Sequence, residues 1–124
     1  QLLKSETVDM ALQAFKKGVK KGSGDSLFSV NKIQTRFYRQ NGTPVNHDPD
    51  NLVRTQDLEP WFEENSNLYI FTKDSFSKTK ARIGVHHIMF ENSVFESIDI
   101  DTPDDWDFAL IAAQYLAAQS GDKL

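Results

Sequence analysis

Two aspartates separated by one residue are the strongest chemical signal in this chain. Asp99 and Asp101 lie in the sequence Ser-Ile-Asp-Ile-Asp-Thr-Pro-Asp-Asp-Trp, residues 97–106. Side chains alternate across a β-strand, so on a strand these carboxylates would share one face, roughly 6 to 7 Å apart, while Ile98 and Ile100 pack into the core. Two hard oxygen ligands at this spacing suit one Mg²⁺ or Mn²⁺ ion whose other positions are taken by water and substrate phosphates.

The residues directly after this pair carry the local signals of a helix start. Thr102 is a good N-cap residue, Pro103 suits the first helical position, and Asp104 and Asp105 favour the positive end of the helix dipole. The two carboxylates are therefore predicted at the carboxyl end of a strand, where open α/β sheets bind ligands. A solvated strand end can carry the same short pattern, so Asp-x-Asp alone leaves a structural interpretation open beside the catalytic one.

Apolar spacing predicts the helices and strands that would position this pair. Residues 5–20 form an amphipathic helix after the N-cap candidates Ser5 and Thr7. A broad apolar stripe from Phe108 to Ala117 predicts a last helix. Short apolar segments predict strands at residues 27–30, 68–72 and 85–90.

A long polar insertion, residues 31–66, separates the first two predicted strands. Residues 34–40 precede the turn signal Asn41-Gly42 and are typical of one arm of a β-hairpin. A two-stranded extension is only marginally stable alone and usually needs a further surface to cover it. A partner subunit would supply such a surface.

Two further motifs precede the aspartate pair in a fixed order. They are Arg-Thr-Gln-Asp-Leu at residues 54–58 and Glu-Asn-Ser-Asn-Leu-Tyr-Ile-Phe at residues 64–71. With residues 97–101 and the strand at residues 24–30, they resemble the carboxyl-terminal half of the CMP-sugar synthetases, the cytidylyltransferases that act on sialic acid and related nonulosonic acids. The resemblance covers almost the whole chain.

The resemblance implies a three-layer α/β fold of the nucleotide-diphospho-sugar transferase, Rossmann-like type, with a mainly parallel sheet. Residues 1–124 would form a single partial domain that lacks the amino-terminal half, and residues 31–66 would form a projecting dimerisation and substrate insertion. In this family the insertion makes a homodimer and contributes sugar-binding residues to the partner's active site.

Site residues are also implied by the resemblance. It assigns substrate contacts to Arg54, Gln56, Asn65, Tyr69 and Arg36. Asn65 would alternatively hold the local turn, and Gln56 would alternatively support Arg54. Arg54 would bind the carboxylate of the sugar acid, because a planar guanidinium fits a carboxylate bidentately, and Arg36 is the weaker candidate for the same anion. Asp99 and Asp101 would be catalytic and would hold the metal ion, with the division of roles between them left open.

The chain departs from the family pattern near the asparagine motif. Ser66 stands where the family often has glycine, and serine tolerates a positive φ poorly. Glu63 and Glu64 stand where some members have an arginine. These departures leave the contacts to the sugar acid less well defined than the metal ligands.

The activity implied is nucleotidyl transfer from CTP to a nonulosonic acid, giving CMP-sugar and pyrophosphate. Family members begin with a strand and a basic, glycine-containing loop that holds the CTP triphosphate, and nothing like Arg-x-Gly-Ser-Lys occurs here. We therefore expect the 124-residue chain alone to be inactive or nearly so. Its start at Gln1 is typical of a fragment, a processed product or a deliberately truncated form.

Two other functions are compatible with parts of the sequence. A metal-dependent glycosyltransferase would also use Asp-x-Asp, but it would not account for the motifs at residues 54–58 and 64–71. A non-catalytic dimerisation module would dimerise through residues 31–66 and bind no nucleotide. Binding of CTP and Mg²⁺, together with the size in solution, separates these alternatives from the cytidylyltransferase.

Composition excludes several classes of function. A net charge of −4 argues against a nucleic-acid-binding protein, which normally has a basic face. The chain has no cysteine, which excludes disulfides, thiolate zinc sites and cysteine nucleophiles. No apolar run approaches the roughly 20 residues that span a bilayer, and no signal-peptide pattern occurs at the amino end. We expect a cytoplasmic protein that binds neither nucleic acid nor membranes.

Overall fold

A computed structural model describes residues 2–121 of the chain. By its contacts the chain divides into two compact units. The sheet unit comprises Gln1–Asn31 and Glu64–Leu124, and the insertion unit comprises Lys32–Glu63. The insertion unit thus lies between two parts of the sheet unit in sequence.

The sheet has three strands, and their order is β2-β1-β3. They are β1 (Ser26–Ile33), β2 (Trp61–Phe71) and β3 (His87–Glu91). The strands β1 and β3 run parallel, with Ser26 paired to His87 and Val30 paired to Glu91. The fold is therefore α/β with a mixed sheet, and the predicted strands at residues 27–30, 68–72 and 85–90 are confirmed with longer or shifted ends.

Within residues 2–121, three α-helices accompany the sheet: α1 (Ser5–Lys20), α2 (Lys73–Thr79) and α3 (Pro103–Ser120). The predicted capping of α3 is confirmed. The hydroxyl of Thr102 accepts from the Asp105 amide, and the Asp105 carboxylate accepts from the Thr102 amide, which forms a capping box. Pro103 occupies the first turn, as its missing N–H allows.

The amino end of α1 differs from the prediction. Its N-cap is Lys4, which makes no side-chain cap bond, so Ser5 and Thr7 as N-cap residues were wrong. The buried carboxylate of Glu96 takes this place and accepts from the Lys4 amide at 2.8 Å and the Thr7 hydroxyl at 2.7 Å. A carboxylate here satisfies unpaired amides and faces the positive end of the helix dipole. A residue 89 positions from Thr7 does the capping, which local sequence cannot reveal.

The core is small and centres on β1. Leu27 and Val30 are almost fully buried there, and the buried hydrophobic residues that the helices contribute within residues 2–121 are Ala11, Ala109 and Ala112. The helix α1 approaches β3 closely at Gly18, where an added Cβ would lie 2.4 Å from Ile88 Cδ1. A side chain at residue 18 would require the end of the Ile88 side chain to move, so glycine permits this close approach of α1 to β3.

Ser66 interrupts β2 with a left-handed backbone conformation, at φ 60°. In a regular strand, residues five apart face opposite sides, yet the Tyr69 hydroxyl donates to the Glu64 carboxylate. One residue in the left-handed region acts as a bulge and brings both side chains to the same side. Ser66 thus adopts the left-handed conformation that serine tolerates poorly, at a position that favours glycine.

The strand predicted through Ile98 and Ile100 is wrong. Residues 97–100 belong to no strand, Ile100 is 44% exposed, and Asp99 and Asp101 are exposed as well. Backbone bonds from the Glu96 amide to Ser93 and from the Ser97 amide to Val94 form a turn directly after β3. After this turn, residues 97–100 form no backbone pairing with the sheet.

The insertion unit contains little regular structure. An isolated antiparallel bridge joins Tyr38 to Pro44 around a turn in which Gly42 has φ 87°. The predicted hairpin is thus reduced to a single bridge. The amide of Asn46 holds its base, donating to the Thr35 carbonyl at 2.7 Å and accepting from the Phe37 amide at 2.9 Å.

Candidate functional site

Three asparagines form a polar cluster where β1 and β3 end. Asn65 Nδ2 donates to Asn92 Oδ1 at 2.6 Å and to Asn31 Oδ1 at 3.3 Å. Asn31 Nδ2 in turn donates to the Asn92 carbonyl at 3.4 Å. Asn31 is in β1 and Asn92 comes just after β3, so the parallel register brings them to the same, carboxyl edge of the sheet. We name these three residues the asparagine cluster.

The asparagine cluster also holds the segment that carries the aspartate pair. Ser97 Oγ donates to Asn31 Oδ1 at 3.0 Å. Asn31 therefore accepts from Asn65, of the motif at residues 64–71, and from Ser97, of the motif at residues 97–101. Two sequence motifs that lie about 30 residues apart meet at one amide oxygen of the sheet.

Asn65 is engaged inside the sheet unit. Besides its two donated bonds, its Oδ1 accepts from Ser29 Oγ at 2.6 Å and from the Asn67 amide at 3.2 Å. These bonds fix the orientation of the Asn65 amide. Asn65 therefore stabilises the structure around the site. Asn65, which was predicted to contact the substrate, thus belongs to a hydrogen-bond network within the fold.

Asn92 has an unused donor. Its Nδ2 is buried and has no hydrogen-bond partner among residues 2–121. Leaving a buried N–H unpaired costs about 1 to 3 kcal/mol, so such a group marks a place where a ligand oxygen or an ordered water would be stabilised. The asparagine cluster can therefore offer a hydrogen bond at the edge where α/β sheets bind ligands.

Asp99 and Asp101 lie in the segment between Ser97 and α3. Within residues 2–121 their carboxylates accept no hydrogen bond and join no ion pair, and no set of three acidic or histidine side chains converges on a metal position. Two free carboxylates offer the hard oxygens that Mg²⁺ prefers, and this ion commonly takes one or two protein carboxylates with the rest from water and phosphates. The strand that would have held both carboxylates on one face is absent, so the magnesium site at Asp99 and Asp101 stays a prediction.

Asp105 differs from this pair because it is committed to the helix cap. The Asp101 amide donates to its carboxylate at 3.0 Å, and this bond is the first cause of a pKa below the ordinary range for Asp105, followed by the bond with the Thr102 side chain. Asp105 therefore stays ionised and orients the backbone of Asp101.

Tyr69 lines an open pocket of about 510 Å³ at another place on the sheet unit. Its hydroxyl donates to Glu64 and lies 3.2 Å from Ser66 Oγ, while the Arg82 guanidinium lies 4.1 Å from the centre of its ring. An arginine stacked on an aromatic ring keeps its donors free at the edge. Lys80 also lines this pocket, which therefore combines two cations with one carboxylate.

Arg54, Gln56 and Arg36 lie in the insertion unit. Arg54 is exposed and pairs with Asp57, Nε to Oδ2, at 3.0 Å. Arg36 Nη2 donates to the Val53 carbonyl at 2.6 Å, next to Arg54 in sequence. Only the backbone of Gln56 is used, accepting from Gln34 Nε2 at 3.1 Å. The predicted carboxylate ligand Arg54 thus has a head group open to solvent.

Sequence reasoning missed Asn31, Asn92 and Arg82. Each stands just after or between apolar segments that predict strands, and a polar residue at such a position is typical of any strand end. For Asn31 and Asn92 the usable signal was their position at the carboxyl ends of two predicted strands. In a parallel pair these ends lie at the same edge of the sheet, so the two residues come close together. No sequence signal points to the stacking of Arg82 on Tyr69.

Comparison with known proteins adds no family to these observations. No protein-family model matches the sequence, and no curated protein matches it. Functional inference for this chain therefore rests on the geometry of the described residues and on the motifs that they carry. No helix within residues 2–121 has the length and apolar character needed to cross a membrane.

Proposed function

We propose that this chain is the carboxyl-terminal half of a cytidylyltransferase that activates a sialic-acid-like nonulosonic acid with CTP. One observation carries the proposal. Asn31 accepts from both Asn65 and Ser97, so the motifs at residues 64–71 and 97–101 converge on the carboxyl edge of parallel strands. That edge is where α/β sheets bind nucleotides and their partners.

In the proposed reaction the anomeric hydroxyl of the sugar acid attacks the α-phosphate of CTP. A bond forms between the anomeric oxygen and phosphorus, and the bond from that phosphorus to pyrophosphate breaks. Such a displacement needs little covalent help, so positioning and charge stabilisation supply most of the rate enhancement. The side chains assigned here bind and orient the sugar acid at the edge of the sheet.

Asp99 and Asp101 are the proposed metal ligands. Their free carboxylates fit Mg²⁺ or Mn²⁺, and a bound ion would neutralise the negative charge that develops on the phosphates. The Asp105 carboxylate orients the backbone at Asp101, and Ser97 ties the start of this segment to Asn31. Together these contacts hold the two carboxylates on a short, anchored segment.

The remaining proposed contacts recognise the sugar acid. Arg54 would bind its carboxylate, with Arg36 as a weaker candidate for the same anion. Gln56, Asn65 and Tyr69 would contact its hydroxyl groups. The exposed head group of Arg54 has only Asp57 to release when a carboxylate binds, which supports this role. Residues 31–66 would form the homodimer interface of this Rossmann-like enzyme, and its use of CTP would suit a cytoplasmic location.

The decisive experiment supplies the phosphate-binding half. The 124-residue chain is mixed with a separately expressed amino-terminal half of an acylneuraminate cytidylyltransferase, and pyrophosphate release is measured with CTP, N-acetylneuraminate and Mg²⁺. We expect turnover only with both halves present. Asp99→Asn with Asp101→Asn should lower it on the order of a hundredfold or more, while Asp74→Asn, an exposed residue of α2, should not.

Sugar binding provides a second measurement that does not require assembly of the two halves. Binding of N-acetylneuraminate to the chain alone is followed by ligand-observed NMR. Arg54→Ala should weaken binding by roughly 2 to 5 kcal/mol if the ion pair is desolvated. Retained sugar binding in Arg54→Ala would remove Arg54 from the proposal, and no binding of CTP or sugar by any form would favour the dimerisation module.

The homodimer is tested by light scattering on the same chain. We expect a dimer at tens of micromolar, because the single bridge between Tyr38 and Pro44 offers the insertion unit little stability of its own. A strict monomer would contradict the proposed interface at residues 31–66.

A further inference from the structure

The helix α3 exposes apolar side chains around most of its circumference. At 100° per residue, Phe108 and Ile111 lie on one flank and Trp106 and Leu110 on the other. Ile111 is 63% exposed and Phe108 is 62% exposed, whereas only alanines of this helix are buried. A helix that is hydrophobic all round is normally buried. The composition of α3 is typical of such a buried helix, but its large apolar side chains are exposed.

A groove runs along the first of these flanks. It has a volume of about 400 Å³ and is lined by apolar side chains that include Phe95, Ile98, Phe108 and Ile111. Val94 at its edge is 61% exposed, which extends the apolar surface beyond α3. Contiguous apolar surface of this kind marks an interaction site more often than solvent-facing structure. We call this the α3 groove.

The charge around the α3 groove has one sign. No lysine or arginine occurs from Ile83 to Gly121, and carboxylates lie beside the groove near the amino end of α3. Asp99 and Asp105 line it directly, and Asp104 lies on the same helix face as Phe108 and Ile111 because of the i,i+4 and i,i+7 spacing. A binding partner with lysine or arginine around its apolar face would therefore complement the charge of this surface.

We propose that the α3 groove docks a polypeptide segment with an apolar face bordered by lysine or arginine. A small apolar ligand would fill the groove but leave the adjacent carboxylates without a cationic partner, whereas a polypeptide segment can supply an apolar face and cationic side chains together. The apolar face supplies the burial and the cationic border pairs with the carboxylates of the rim. This docking shares Asp99 with the proposed metal site, but its argument from α3 and its surroundings does not rest on the proposed function.

Two synthetic amphipathic peptides test the proposal. They share one leucine- and phenylalanine-rich face, and their polar face carries lysine in one and glutamate in the other. Binding of the fluorescein-labelled peptides to the full chain is measured by anisotropy. We expect the lysine peptide to bind at least about tenfold more tightly than the glutamate peptide. Equal binding of the two, or binding of neither, would overturn the proposal.

Neighbouring residues of α3 provide a matched pair of variants. Ile111→Ser should weaken binding of the lysine peptide about tenfold, because the side chain is removed from the groove. Leu110→Ser, on the other flank, should weaken it less. Asp104→Lys should also weaken binding, whereas Asp74→Lys, at the same position in the first turn of α2, should not. Equal losses within either pair would contradict docking in the groove.

Measurements on the unmodified chain keep the test valid if a variant fails to fold. Methyl NMR with the lysine peptide should shift Ile98 and Ile111 and leave Ile70 and Ile83 unchanged, and the reverse pattern would place the peptide elsewhere. Self-association is the competing outcome. If Ile111→Ser abolishes a dimer that changes at residues 31–66 leave intact, the occupant is a second copy and the proposal is wrong.

Discussion

Asn65 and Arg54 belong to neighbouring sequence motifs, but they stand in opposite physical situations. Asn65 takes part in bonds to Ser29, Asn31, Asn92 and the Asn67 backbone, so the sheet determines its orientation. Arg54 is exposed and has one ion-pair partner three residues away. A residue of a sequence motif can thus stabilise the site or remain available to bind a ligand. The hydrogen bonds and ion pairs around the residue distinguish these two roles.

The difference has an energetic consequence. A half-buried amide with several partners leaves each of them without that bond when it is removed, and each buried group left unsatisfied costs about 1 to 3 kcal/mol. An exposed ion pair is worth about 0 to 1 kcal/mol because solvent and salt screen it. Stability should therefore depend on the asparagine cluster and not on Arg54.

The largest effect is expected from Asn65→Leu. Leucine is close in size but can neither donate to Asn92 and Asn31 nor accept from Ser29. We expect the free energy of unfolding to fall by about 3 kcal/mol, as measured by urea denaturation. Asn51→Leu, in an exposed loop, is the control and should change it by less than about 0.5 kcal/mol. A loss as small as the control's would mean that the cluster does not stabilise the fold.

The next effect is expected from Glu96→Ala. Its carboxylate caps α1 from the turn after β3, so its removal leaves the Lys4 amide and the Thr7 hydroxyl without their acceptor. We expect a loss of about 1 to 2 kcal/mol in unfolding free energy. Glu96→Gln keeps one acceptor oxygen and should lose less. If both variants lose the same, the cap does not contribute through its oxygen.

These two residues show where sequence reasoning about the fold succeeds and where it stops. The capping of α3 was predictable because Thr102, Pro103 and Asp105 lie within four residues and their signals are local. The cap of α1 was not, because Glu96 comes from the other end of the sheet unit. The strand through Ile98 was predicted from alternation alone, but a strand also needs a neighbour to pair with, and residues 97–100 have no such pairing.

The candidate site divides in the same way. Residue types and spacing singled out Asp99, Asp101 and Asn65, because carboxylates and amides at strand ends are a local pattern. Sequence reasoning did not identify Asn31 and Asn92, although these residues hold the motifs together. Their role depends on the parallel register of β1 and β3. Contacts that depend on tertiary pairing leave no signal at either residue alone.

Acid should weaken the sheet unit through Asp25, at the amino end of β1. Partial burial acts to raise the pKa of this carboxyl, but hydrogen bonds from the His86 amide and the Ser26 hydroxyl outweigh it and hold the pKa below the ordinary value of 3.8. A lowered folded-state pKa means that the stabilisation is present above pH 3.8 and is lost as the pH falls through the folded value. Asp25→Asn should therefore flatten the urea stability profile below that pH, and an unchanged slope would contradict this.

The smallest effect on stability is expected from Arg54→Ala, and it completes the comparison with Asn65. Its pair with Asp57 is three residues apart and largely exposed, so solvent screens the attraction and the two side chains regain entropy when it is broken. We expect the unfolding free energy to change by less than about 0.5 kcal/mol, at low and at high salt. Asp57→Ala is the matched control, since it breaks the same pair but leaves the guanidinium free. If Arg54→Ala destabilised the chain as much as Asn65→Leu, Arg54 would be a structural residue and its proposed role in binding a carboxylate would lose its physical basis.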